Sequence, residues 1–288
     1  MGYLFAILSS FFLTLYALPK KKAKLKPYYY VLFMGISSFV LSIVFYLFFG
    51  INEELFSKWL VVSFLGGVIW FCASALFFYC VDKMGVARAS EFKSLQGPIG
   101  SILILTILNE FVSLNIYLLL IAIVFIFMAA LLLVVNEGEK KKITYINISL
   151  AIVSALLYGI SGFIRKVVTL EGFVYSQQIY TSLGIMLSAL IYTIIKDKKL
   201  YVNKSNIRNY LLASLSGVSH YLASFFMLLS YKYLEGSIAF VVIQLNCIWT
   251  VIIGVFLFKE IDYKKYYKRL LLGLLFALMG MTLLVFCE

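Results

Sequence analysis

Apolar residues occupy this chain in long runs, and its polar residues collect in the short gaps between them. Runs suited to crossing a bilayer need ~20 mostly apolar residues. They fall at 2–18, 28–49, 59–80, 86–108, 116–135, 146–164, 174–195, 209–230, 236–258 and 269–286. The pattern predicts an all-α integral membrane protein of ten transmembrane helices, and little chain is left over for a soluble domain.

Composition strengthens this reading. Of 288 residues, 63% are apolar, and the mean hydropathy is +1.00, far above that of an average soluble domain. A net charge of +12 raises the question of nucleic acid. The basic residues sit in short loops suited to anionic inner-leaflet lipid instead, so the expected partners are the lipid bilayer and a small-molecule substrate, with no nucleic acid. Their placement also gives orientation. Of the 25 Lys and Arg residues, 21 lie at the alternating breaks around Lys20–Lys26, Lys83–Lys93, Lys140–Lys142, Lys196–Arg208 and Lys259–Arg269, against Lys58, Arg165, Lys166 and Lys232 at the others. Short basic loops stay cytoplasmic because translocating Lys and Arg is unfavourable. The expectation is a multi-pass protein of the plasma (inner) membrane with both termini on the extracytoplasmic side. Gly2–Leu18 resembles a signal peptide but carries Lys20–Lys22 after its apolar stretch rather than before it, which predicts a retained helix.

The polar loop Asn136–Tyr145 separates five segments from five, predicting units at 1–140 and 141–288. Ala6–Leu13 (AILSSFFL) reads against Ala151–Tyr158 (AIVSALLY) at an offset of 145, with Lys21 opposite Lys166. Asn109-Glu110 falls opposite Lys259-Glu260 at an offset of 150, and Leu95-Gln96 opposite Leu245-Asn246. An odd number of crossings per half inverts the second half relative to the first, the plan of many secondary transporters, whose sites lie at the repeat interface. The plainer alternative is that apolar helices resemble one another by composition.

Candidate chemistry is sparse. Cys72, Cys80, Cys247 and Cys287 show no CxxC spacing and His220 is the single histidine, so no metal site, cofactor or catalytic set is expected. No nucleotide-binding loop of the Walker type is present. The fourth segment reaches span length only by including Arg88, Glu91, Lys93 and Gln96. A charge at a helix centre costs roughly 2.5–3.5 kcal/mol on insertion scales, so such residues face a cavity or a partner. Arg88 and Glu91 are spaced i, i+3, and two readings stand: a structural ion pair, or a Glu91 that couples transport by carrying a proton or binding substrate. Pro98 lacks an N–H and should free the Ser94 carbonyl, kinking the helix beside Gln96. Gln96-Gly97-Pro98 is therefore the first-choice site element, against a packing kink without ligand contact. In the ninth segment Asn246, Trp249 and Thr250 share a helical face while Gln244 points elsewhere. Trp70, Tyr158, His220 and Tyr221 complete the expected substrate-binding set. Gly273, Ala277 and Gly280 suit close helix packing, within the chain or in a homodimer.

Gly85–Ser90, Gln96-Gly97-Pro98 and Asn109-Glu110, then Gly236–Ala239, Gln244–Asn246 and Lys259-Glu260, resemble the fourth and ninth helices of EamA-like ten-helix members of the drug/metabolite transporter superfamily. The likeness covers the whole chain. Gly66–Trp70 and Ser94–Pro98 are similar to the sugar-uptake branch. Two departures are the charged start of the fourth helix and the missing proline of the ninth. The resemblance implies that helices 1, 3, 4, 6, 8 and 9 surround a central cavity, with 5 and 10 peripheral. The expected function is secondary transport of a small polar metabolite (amino acid, sugar, amine or related compound) by alternating access. The alternative, a membrane-embedded enzyme or lipid-handling scaffold without solute transport, would need a convergent nucleophile and base or a clustered metal set, which one histidine does not provide.

Overall fold

A computed structural model describes residues 1–84, 89, 92–110, 115–133, 144–198, 206–253 and 263–286. In lipid the backbone must satisfy its own polar groups, and apolar runs of this length do so as helices. They are α1 (Gly2–Leu15), α2 (Pro27–Phe45), α3 (Lys58–Met84), α4 (Gln96–Ile107), α5 (Ile116–Leu133), α6 (Tyr145–Leu170), α7 (Tyr175–Asp197), α8 (Ile207–Tyr233), α9 (Gly236–Ile243), α10 (Asn246–Ile252) and α11 (Tyr263–Val285). Eight of these, α1–α3, α5–α8 and α11, some extended by a flanking turn, are long and apolar enough to cross a membrane. This is a multi-pass membrane protein.

The fourth and ninth segments are interrupted. Turns at Ser94-Leu95 and Gln244-Leu245 break them at matching points of the 150-residue offset. The expected freeing of the Ser94 carbonyl does not occur, because the Gly97 N–H donates to it at 3.2 Å. The ninth segment breaks with no proline at all: Gln244 and Leu245 donate three residues back, to Val241 and Val242, at 3.0 Å each. Tightening to a three-residue repeat keeps both breaks hydrogen-bonded.

Packing follows an orderly exchange. The α3 helix lies along α6 and α7, while α1 and α2 lie along α8; α4 meets α6 and α9, and α1 meets α9. The α2–α7, α4–α9 and α5–α11 pairs complete the bundle. Glycines allow these approaches: a Cβ on Gly67 would strike the Thr181 carbonyl oxygen, and one on Gly184 the Phe64 carbonyl oxygen. The tenth segment's small residues face α5, with a Cβ on Gly280 falling 2.6 Å from Ile126 and one on Gly273 falling 2.8 Å from Leu133. That stripe packs within the chain, the first of the two expected uses.

Carboxylates close helix ends across these pairs. Glu53, beyond α2, accepts from the N–H groups of Val174, Tyr175 and Ser176 at 2.9–3.1 Å and from the Ser176 hydroxyl at 2.8 Å. At the opposite end of that pair, Asp197 accepts from Lys26 at 2.9 Å and from the Tyr28 hydroxyl at 2.9 Å. Glu110 accepts from the Gly236 and Ser237 N–H groups at 2.8 and 2.9 Å, from the Ser237 hydroxyl at 2.7 Å, and pairs with Lys166 at 3.6 Å. Helix N-termini attract negative charge through their open N–H groups and dipole.

One sequence expectation needs correction. Arg165 and Lys166 are not at a break: α6 runs past them to Leu170, and both are buried. Neither is a loop cation.

Candidate functional site

Six segments meet at a cavity whose free space, counted out into open solvent, is about 510 Å³. It is lined by Ser9 and Leu13 of α1 and Tyr16 just past its end, Trp70 of α3, Lys93 and Gln96 of the broken fourth segment, Tyr158, Ser161, Gly162 and Arg165 of α6, Ala223, Ser224, Met227 and His220 of α8, and Phe240, Ile243 and Gln244 at the break of the ninth. These are the helices that the resemblance places around a central cavity.

One wall is aromatic. The Trp70 and His220 ring centroids are 4.1 Å apart, Tyr158 stands edge-on to Trp70 at 5.8 Å, and Tyr16 lies 6.1 Å from His220. The Tyr158 and Ser74 hydroxyls are 2.8 Å apart, which fixes the Tyr158 ring. His220 Nδ1 lies 3.4 Å from the Ser38 hydroxyl, an arrangement that holds the imidazole by its back.

A second wall is polar. Gln96 Nε2 donates to Gln244 Oε1 at 3.3 Å, joining the two broken segments, and Gln244 Nε2 donates to the Phe240 carbonyl at 3.3 Å. Gly97 is required here, since a Cβ would press on the Gln244 side chain. Arg165 Nη1 donates to the Ser224 hydroxyl, which donates on to Gln178 Oε1 at 3.0 Å. Lys93 donates to the Tyr16 hydroxyl and lies over three rings, with its Nζ 4.4 Å from the Tyr16 centroid and 4.8 Å from those of Phe77 and Tyr158. Aromatic faces partly replace the water such a cation has lost.

The structure therefore brings together Trp70, Gln96, Tyr158 and His220 of the expected set. It places the other three elsewhere. Tyr221, one position from His220, turns to Phe45 at 5.0 Å. Trp249 donates to Ser10 at 2.9 Å and packs edge-on against Phe11 at 5.4 Å. Asn246 is not among the cavity-lining residues, and its backbone carbonyl takes the Thr14 hydroxyl at 2.9 Å. Glu91 and Arg88 lie outside the described residues. Sequence reasoning missed Arg165 and Gln244 as lining residues. Arg165 follows directly on an apolar run with no helix breaker before Gly172, a signal that it sits inside the helix. Among the described residues no group of His, Cys, Asp and Glu could hold a metal ion.

A helical membrane bundle with a polar and aromatic cavity at its centre is the framework of a membrane transporter for small polar solutes. The model of the family described as "Sugar transport protein" matches residues 4–287, and the chain belongs to that family. This agrees with the expected kinship to the sugar-uptake branch of the drug/metabolite transporters and does not favour the enzyme reading. Among 18 matching chains of solved structures, one described only as "Crystal structure of protein" superposes with a TM-score of 0.75 at 12% identity, covering 98% of this chain and 94% of its own. At that identity the likeness speaks to the fold alone. No curated protein matches the sequence.

Proposed function

We propose that this transporter moves a sugar or sugar-like solute through the central cavity by alternating access of two inverted five-segment halves, 1–140 and 141–288. The observation that carries the reading is the cavity's position at the touching breaks of the fourth and ninth segments, where Gln96 meets Gln244. Broken helices at a repeat interface supply backbone and amide groups to a solute without lipid exposure.

Ten crossings in inverted repeats are supported by the packing exchange. Adding five to each segment number turns the α3–α6 contact into α8–α1, α3–α7 into α8–α2, and α4–α6 into α9–α1, and all of these pairs pack. The breaks at one offset and the reciprocal carboxylate links of the α2–α7 pair point the same way. The basic loops favour an inner plasma membrane with both termini outside. Burial of Arg165 and Lys166 in α6 removes two of the four cations counted against that sidedness.

In this reading Trp70 and Tyr158 stack on the faces of a sugar ring, and Gln96 exchanges hydrogen bonds with hydroxyls. His220 orients that aromatic wall. Asn246, Trp249 and Tyr221 act behind the cavity, and Glu91 is the candidate coupling residue. No covalent chemistry is assigned to the chain.

The test is exchange of labelled neutral and charged sugars by purified protein in liposomes, run beside Gln96→Ala. Native exchange that falls at least tenfold in the folded variant supports the reading. Loss of a lipid or peptide substrate in detergent, with no sugar exchange, would favour the enzyme instead.

A further inference from the structure

The cavity holds two buried cations and, among the described residues, no carboxylate. Arg165 is 4% exposed and Lys93 is 8% exposed. Three acidic side chains of the bundle are committed elsewhere: Glu110 to Lys166 and the start of α9, Glu53 to the start of α7, and Asp82 to Lys20 at 3.3 Å. None of these carboxylates lines the cavity. A cation removed from water is costly unless an opposite charge or a full set of acceptors replaces its hydration.

The two cations differ in how far that need is met. Lys93 has a hydroxyl and three aromatic faces, as described above. Arg165 has less: Nη1 reaches Ser224, while Nη2, fully buried, has no hydrogen-bond partner. A guanidinium presents its N–H groups as a flat fork that matches two oxygens of one carboxylate or phosphate. Here one arm of the fork is open, on a residue that lines the central cavity.

We infer that the transported solute carries a negative charge, a sugar bearing a phosphate ester or a carboxylate, with its anionic group held by Arg165 and Lys93 and its ring against Trp70. The inference rests on the transport reading and narrows its substrate class. An anionic group on the solute would supply the missing partner of Arg165 Nη2 and an opposite charge for both cations. The neighbouring cation Lys166 takes no part, because Glu110 already neutralises it.

The experiment compares glucose, glucose 6-phosphate and glucuronate as exchange substrates for the full-length protein in liposomes. One or both charged sugars should exchange at least tenfold faster than glucose, and which of them does so separates phosphate from carboxylate recognition. Inorganic phosphate should compete if the ester is the substrate. Arg165→Gln should lower charged-sugar exchange at least tenfold, with partial recovery in Arg165→Lys. Lys93→Gln provides a second variant, and the native comparison decides if neither folds. Glucose exchange as fast as that of either charged sugar overturns the inference while leaving the transport reading standing. Absence of exchange with every sugar by a folded protein overturns both.

Discussion

Arg165 and Lys166 are neighbours in sequence, and one helical step of about 100° sends their side chains to different tasks. Lys166 closes onto Glu110 at the end of the bundle, while Arg165 enters the cavity. Trp70 is the residue whose loss should be felt most directly by a sugar ring. Trp70→Ala is expected to weaken solute-induced thermal stabilisation by roughly tenfold in concentration, equivalent to about 1.4 kcal/mol. A folded variant with an unchanged titration midpoint would remove Trp70 from the site. Trp70, Gln96, Tyr158 and His220, singled out in the sequence as polar or aromatic groups inside apolar segments, all line the cavity. Tyr221 was not separable from His220 by residue type, and the step of about 100° between them turns Tyr221 to Phe45. Arg165 was obscured by a span length of ~20 residues, applied to a helix of 26 residues.

At the scale of elements, the sequence displayed the segments but not their interruptions. Pro98 marked the fourth segment's break in advance, although the turn lies just ahead of it and leaves the Ser94 carbonyl bonded. The ninth segment has no such mark, and its unbroken reading assigned Asn246 and Trp249 to the cavity face in place of Gln244. The carboxylate caps give a graded prediction. Glu53→Gln should cost about 1 kcal/mol, the worth of a helix cap. Glu110→Gln should cost more, roughly 3–5 kcal/mol, because it leaves Lys166 charged and buried without its partner. Adding Lys166→Met should restore much of that loss, measured as the thermal midpoint in detergent. Equal effects of Glu53→Gln and Glu110→Gln would contradict the burial argument. Helix contact is also sensitive to single atoms: Gly67→Ala forces α3 off the Thr181 backbone and should cost about 1–3 kcal/mol. A midpoint indistinguishable from native would show that α3 and α7 are further apart than described.

For the whole molecule, the long apolar runs made the all-helical, multi-pass class legible, since it follows from what a bilayer excludes. The pairing of segments was less legible, because apolar helices in lipid are sorted by packing and polar contacts rather than by burial. Sidedness is open to direct labelling. In a background lacking Cys72, Cys80, Cys247 and Cys287, an impermeant maleimide should label Lys232→Cys in intact cells and Lys22→Cys only after permeabilisation. The reverse pattern would invert the proposed orientation. The central claim, that sugar-like solutes pass through the cavity where the fourth and ninth segments touch, is tested most directly by counterflow in liposomes. A panel of neutral and charged sugars should include one that the native protein exchanges and that Gln96→Ala and Trp70→Ala, folded to the same extent, exchange at least tenfold more slowly. Native protein that exchanges none of them, or variants that exchange as fast as native, would contradict the account.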